Sequence, residues 1–434
     1  MKIKTKEMSY EDVLKVKPYV RRKPWKQLPL LRYIIKWYST VDLMRVGFKA
    51  NRIGMEKLGK DEPCLILMNH SCFTDMEIVG KLFGDRRYSI VCTRDAMVGK
   101  NWLMRLLGCI TTTKYITDLP LVQDMVYAVR KLNSSVVMYP EAMYSFDGTA
   151  TVLPDSLPKC LKLLNVPVIM VRTHGAFLRD PLYNGLQLRK TKITADVEYL
   201  LSPEEIKAKS ANELKEILDT AFTFDDFRYQ QENKIRIKEK FRADGLERVL
   251  YKCPNCQTEG KMVGKGIHLT CEHCQKTYEL TEYGFLKALN GETEIDHVPD
   301  WYLWERESVR KELEEGTYLF EEDVAIYMMV DAKCLYKVGD GHLRHSKDGF
   351  HLTGCDGKLD YSQKAESSYT INADFFWYEI GDVVCIGDVA KQYYCFPKSK
   401  EVNVAKVRLA TEELYKIAKA NKTRARKVKT EEQK

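Results

Sequence analysis

A chain of 434 residues is long enough for two to four domains at the usual ~100–200 residues each. A hydrophobic share of 44% supports ordinary globular cores, and a net charge of +8 is mild for this length, permitting contact with anionic lipid or nucleic acid without requiring either. The first residues are polar and charged, with no apolar signal-peptide region, and no apolar run approaches the ~20 residues a spanning helix needs. A protein of this composition that works on lipid is expected to lie on the membrane, peripheral on its cytoplasmic inner face. The thirteen cysteines are odd in number, and Cys64, Cys92, Cys109 and Cys160 stand singly in apolar surroundings. That pattern fits unpaired thiols in a reducing compartment.

Residues 1–48 read as a basic, irregular segment followed by an amphipathic helix over about 28–48. Leu30, Ile34, Trp37, Val41 and Met44 recur at helical spacing, Pro29 suits the first turn, and Arg32 and Lys36 lie off the stripe. Such a helix suits a lipid headgroup layer, or it packs on the domain's own core. Residues 49–247 read as an α/β domain. Apolar runs at 64–68, 88–92, 135–139, 166–171 and 193–200 predict strands, and the stretches 74–83, 102–107, 121–132 and 158–164 predict helices between them. A charged helical segment is expected from about 203 to 247. A small cysteine module follows at 248–285, then a helical linker at 286–317 with its helix near 299–315. Residues 318–420 alternate short β-like runs (VAIYMMV, KCLYKV, GFHLTG, WYEI, VVCIGD, QYYCFP) and close with a helix over 404–420. This element order resembles a pleckstrin-homology-type barrel. The charged tail at 421–434 is expected to be disordered.

The segment CLILMNHSCFTD sets Asn69-His70 directly after a predicted strand, with Asp75 five residues on. On a regular helix these two would face roughly 140° apart. They meet only if His70 sits at the strand–helix corner, where Ser71 and Thr74 are plausible caps. There the carboxylate would set the imidazole tautomer and stabilise imidazolium while the base takes a hydroxyl proton.

Asn69-His70-Ser71-Cys72-Phe73-Thr74-Asp75 resembles the N-H-x-x-x-x-D block of the glycerolipid acyltransferase family, which includes 1-acyl-glycerol-3-phosphate acyltransferases. Gly108-Cys109-Ile110-Thr111-Thr112-Thr113-Lys114 resembles its second block. Tyr139-Pro140-Glu141-Ala142-Met143-Tyr144-Ser145 resembles the third, commonly F-P-E-G-T-R-S, and Val166-Pro167-Val168 the fourth. The four blocks stand in the family's order. The resemblance implies that His70 deprotonates an acceptor hydroxyl, which attacks an acyl thioester carried by coenzyme A or acyl carrier protein, while Asp75 orients His70. Ser71 and Cys72 are then not nucleophiles. It further implies that Gly108, Lys114, Pro140 and Glu141 hold the acceptor, a lysophospholipid, most simply 1-acyl-sn-glycerol-3-phosphate on the way to phosphatidic acid.

Two departures bear on that acceptor. Lys114 replaces an arginine and offers a point charge in place of a bidentate fork. Ala142, Met143 and Tyr144 stand where G-T-R is common, so a phosphate clamp is missing unless cations such as Arg94, Lys100 or Arg172 substitute. An acceptor without a phosphate monoester and a non-catalytic adaptor on the same scaffold are the alternatives. Separately, Cys253-x-x-Cys256 and Cys271-x-x-Cys274 have the spacing of a zinc ribbon whose four thiolates close the coordination sphere, making the zinc structural. Lys252, Lys261 and Lys265 give local positive charge. No long basic stripe with interleaved aromatics points to nucleic acid, and the oligomeric state is left open.

Overall fold

The computed structural model describes residues 2–114, 118–399 and 401–432, with side chains to Lys422 in the last helix. The N-terminal segment, expected to be irregular, is a strap between two domains. β1 (Thr5–Glu7) pairs in parallel with the strand Leu335–Ser346 of the C-terminal half. α1 (Tyr10–Leu14), capped by Ser9, buries Tyr10 and Val13 in the same core. The strap then crosses to the α/β domain, where the Arg21 guanidinium donates to Asp118, Asp124 and the carbonyl of Thr111.

α2 (Pro29–Arg45) has proline in its first turn and buries only Arg32, Ser39 and Leu43. The predicted stripe faces out: Leu30, Ile34, Trp37 and Met44 are exposed, Trp37 by 69%. The two flanking cations instead turn inward or pair, Arg32 being buried and Lys36 bonded to Asp85.

The α/β domain contains β2 (Lys49–Ile53), β3 (Leu65–Met68), α3 (Thr74–Phe83), β4 (Tyr88–Thr93), α4 (Asn101–Leu106) and β5 (Ile110–Thr112). It continues with α5 (Leu119–Leu132), β6 (Ser135–Met138), α6 (Leu157–Leu164), β7 (Val168–His174), α7 (Ala176–Arg179) and β8 (Thr194–Leu201). The sheet order is β2-β8-β7-β3-β6-β4-β5, with β8 antiparallel to β7 and the other pairings parallel. Alternation decides the layers. Leu65, Leu67, Val136 and Met170 face α5 and α6, whereas Ile66, Met68, Val137 and Ile169 face α2 and α3. Gly80 lets α2 approach α3, since a Cβ there would meet Ser39 Oγ at 2.7 Å.

The charged segment forms three capped helices, α8 (Pro203–Ala208), α9 (Ala211–Ala221) and α10 (Asp226–Glu232), and stops well short of 247. Lys234 and Gly245 adopt left-handed backbone, which ends helical propagation. β9 (Met262–Lys265), β10 (His268–Cys271), β11 (Thr277–Leu280) and β12 (Leu286–Ala288) form an antiparallel sheet that extends past 285. α11 (Val298–Glu315) leads into the C-terminal domain.

That domain has β13 (Phe320–Met329), β14 (Leu335–Ser346), β15 (Gly349–Gly354), β16 (Leu359–Lys364), β17 (Asn372–Trp377), β18 (Gly381–Gly387), β19 (Gln392–Pro397) and α12 (Val404–Glu432). Its antiparallel order is β16-β15-β14-β13-β19-β18-β17. WYEI, expected as a strand, is instead mostly the tight turn after β17, with Phe376, Tyr378 and Glu379 left-handed. The strand LDYSQK is mostly polar and carries no apolar run that would predict it. The last helix continues to Glu432 rather than ending at 420, since the tail holds no Gly or Pro and is rich in Lys, Arg and Glu. The cysteine module, α11 and the C-terminal β-domain are not separate modules. Cys253, Cys271, Tyr278, Trp301, Val324, Leu343 and Val407 share one core. Among the described residues no helix is long and apolar enough to cross a membrane.

Candidate active site and metal centre

β3 ends at Met68, and the chain turns through Asn69 and His70 before α3 begins. Asn69 fixes this corner: its Oδ1 accepts from the Thr173 N–H at 2.8 Å and the Thr173 hydroxyl at 3.1 Å, joining the ends of β3 and β7. Asp75 lies in the first turn of α3, fully buried. Its Oδ2 accepts from Ser71 N–H at 2.7 Å and Cys72 N–H at 3.1 Å, and lies 3.0 Å from His70 Nδ1. Two backbone donors at the first turn of α3 hold this side chain in place. Ser71 and Thr74 do not cap the helix; the N-cap position is Phe73, and the carboxylate itself takes the backbone donors. With Nδ1 facing Asp75, Nε2 is the ring nitrogen left for a substrate hydroxyl.

The third block packs against this histidine. Ser145 N–H donates to the His70 carbonyl at 2.9 Å. The Tyr139 ring stacks on the imidazole at 4.2 Å, and Tyr144 meets it tilted at 4.4 Å. Sequence reasoning assigns these two rings no role. Tyr144 stands where an arginine is common, and its π face lies beside a ring that would become cationic during proton transfer. Cys72 is fully buried, which pushes its thiol well above its ordinary range and away from nucleophilic chemistry. His174 also faces an aspartate, Asp196 at 3.2 Å, but that carboxylate is on the partly exposed strand β8 and lacks the two backbone donors. That arrangement is a poorer anchor for a base.

Glu141 is buried and accepts from Thr151 at 3.3 Å, and burial pushes its carboxyl well above the usual range. Pro140 is buried beside it. Gly108 follows α4 with φ +77°, where a Cβ would press on Gln27 and the Tyr88 carbonyl, so its glycine is explained by backbone geometry. Lys114 follows β5, three strand spacings or ~14 Å along the sheet from β3. Its Nζ donates to Asn372 Oδ1 of the C-terminal domain at 3.0 Å.

Ala142 retains a left-handed backbone at φ 60° although it carries a Cβ. Ala142→Gly should therefore relieve strain and raise stability by about 1 kcal/mol. A thermal midpoint unchanged or lower in that variant would contradict this.

Asp226 is buried, accepts from Gly175 N–H at 2.7 Å, and is pushed up to about 7 by burial. A carboxyl raised in the folded state holds a proton that the unfolded chain has released. Its stabilising contribution is full below about pH 4 and lost as pH rises through about 7. Asp226→Asn should flatten the fall in thermal midpoint between about pH 4 and 7. An unchanged pH slope would refute the assignment.

The four cysteines of the ribbon converge, with all sulfur atoms within 4.8 Å of one another. The Cys253–Cys274 and Cys256–Cys271 sulfurs are each 3.7 Å apart. A tetrahedron with metal–sulfur bonds of ~2.3 Å has edges of ~3.8 Å, so this set fits a four-coordinate ion. Left-handed Gln257 and Gln275 follow the two pairs and turn each into a knuckle. Two of the nearby lysines are engaged in ion pairs, Lys252 with Glu259 and Lys261 with Glu401.

The partly exposed His70 and the buried Asp75 stand together at the carboxyl edge of a mostly parallel sheet. Residues 49–194 match the family model described as Acyltransferase. Among solved structures, one similar chain is PlsC, the 1-acyl-sn-glycerophosphate (LPA) acyltransferase from Thermotoga maritima. It is 15% identical with a TM-score of 0.35, and the match covers 44% of this chain and 78% of that one. No curated protein matches the chain significantly.

Proposed function

We propose that the chain moves a fatty acyl group from a thioester of coenzyme A or acyl carrier protein to the free hydroxyl of a lysophospholipid, most simply 1-acyl-sn-glycerol-3-phosphate. The observation that carries this is the His70–Asp75 pair, with Nδ1 held at Asp75 and Nε2 left for a substrate hydroxyl. His70 Nε2 takes the hydroxyl proton, the oxygen attacks the thioester carbonyl, and the carbon–sulfur bond breaks. The proton on His70 then passes to the departing thiolate. Asp75 holds the tautomer and stabilises imidazolium throughout.

The exposed face of α2 supports work at a membrane surface, peripheral to it, on the cytoplasmic side. Phe73 and Trp102, also exposed, add apolar surface, Phe73 lying next to the catalytic corner. The four clustered cysteines support a structural zinc ion. Seven antiparallel strands closed by one helix support the pleckstrin-homology-like reading of residues 318–420.

Purified protein with lipid vesicles and either donor should release thiol and form diacyl product from lysophosphatidic acid. Absence of product from every donor and lysolipid would overturn the reading. A second reading, an acceptor without a phosphate monoester, is favoured by Tyr144 in place of a clamp arginine. Lys114→Met separates the two. It should raise KM for lysophosphatidic acid at least about tenfold if phosphate is read there. It should leave KM unchanged if neutral or zwitterionic lysolipids are the better substrates.

A further inference from the structure

Between the carboxyl edge of the acyltransferase sheet and the barrel lies a polar cleft of about 260 Å³. One wall carries Arg94, Thr113 and Lys114, and the other carries Lys364 and Asn372 from the C-terminal domain. The Arg94 guanidinium reaches Thr113 Oγ1 at 3.3 Å, and its Nε is buried without a hydrogen-bond partner among the described residues. Lys114 donates to a neutral amide oxygen, that of Asn372. Lys364 has no ion-pair partner among the described residues. The carboxylates in the lining are already engaged: Asp95 accepts from the Tyr378 hydroxyl, and Asp388 from Ala390 and Lys391 N–H. The half-buried Arg94 and Lys114 and the exposed Lys364 thus line one cleft, with no carboxylate bonded to any of them. Removing cations from water without an anion is costly, and a phosphate accepting several charge-assisted bonds would offset that cost.

We propose that this cleft binds a phosphate group and that the barrel completes it, with Lys364 facing Arg94 and Lys114 and Asn372 holding the Lys114 ammonium in place. The C-terminal domain is then a specificity element of the enzyme, not an independent appendage. This rests on the acyltransferase reading for its role in catalysis, but not for its binding chemistry. The phosphate belongs either to the acceptor headgroup or to the coenzyme A donor, which carry the same chemistry.

The test uses the full-length protein with Lys364→Ala and Arg94→Gln. Lys364 is exposed, so its loss leaves the fold undisturbed even if the Arg94 variant folds poorly. Glycerol 3-phosphate, coenzyme A and inorganic phosphate are titrated by calorimetry, and KM is measured for acceptor and donor separately. At least one phosphate compound should bind, and each substitution should weaken it about tenfold. A rise in KM for lysophosphatidic acid alone assigns the site to the acceptor, and a rise for acyl-coenzyme A alone assigns it to the donor. If no phosphate compound binds, or Lys364→Ala binds like wild type, the proposal fails even where acyl transfer is robust. If Lys364-dependent binding is present but no acyl transfer occurs with any substrate, the site stands and the acyltransferase reading fails.

Discussion

His70→Ala should lower the rate of acyl transfer on the order of 10²–10⁴-fold, the range general-base catalysis contributes, while leaving the thermal midpoint near wild type. The fold should survive because the imidazole is partly exposed, its side chain by 18%, and the corner is pinned independently by Asn69 and Asp75. Thiol release from acyl-coenzyme A in the presence of lysolipid measures it. Turnover within about tenfold of wild type would remove His70 as the base. Asp75→Asn is the companion variant. An amide oxygen can still accept from Ser71 and Cys72 N–H, so the corner persists, but imidazolium loses its counter-charge and the tautomer is no longer set. Its rate should fall while its KM values stay close to wild type.

The second large effect is expected at the ribbon. The protein should carry about one zinc ion per chain, and Cys271→Ser or strong chelation should unfold the region from Cys253 to β12. Structural zinc in small modules contributes on the order of 10 kcal/mol of binding free energy that is also folding free energy. Damage should spread beyond the module, because Cys271 and Tyr278 share a core with Trp301, whose indole N–H donates to the Lys252 carbonyl at 3.0 Å. Tryptophan fluorescence and elemental analysis read both effects. Metal-free protein with an unchanged unfolding transition would contradict a structural metal. The chemistry at His70 should decline only as far as the barrel shifts on the acyltransferase domain, since no cysteine of the ribbon touches that histidine.

The exposed stripe of α2 is a case where sequence allowed two outcomes and packing chose. Leu30, Ile34, Trp37 and Met44 have helical spacing under either reading, on a membrane or against a core. The helix buries a different, narrower face through Ser39 and Leu43, where Gly80 on α3 permits close approach. Arg32 and Lys36 read as headgroup partners in sequence, yet burial and Asp85 claim them.

Local chemistry determined much of this protein by itself. The five-residue spacing from His70 to Asp75 already required a strand–helix corner, because no regular helix brings the two together. The apolar runs located five sheet strands because strands buried on both faces are continuously hydrophobic. The CxxC pairs determined a four-sulfur cluster because each knuckle is local. Tertiary structure decided what depends on distant segments meeting. Tyr139 and Tyr144 against His70, Asn372 on Lys114 across 258 residues, and Arg94 and Lys364 lining one cleft are such meetings. So are the N-terminal strand on the barrel and the core shared by ribbon and barrel. None of these leaves a periodicity or spacing in the sequence, because the residues involved are joined by packing and electrostatics rather than by proximity along the chain.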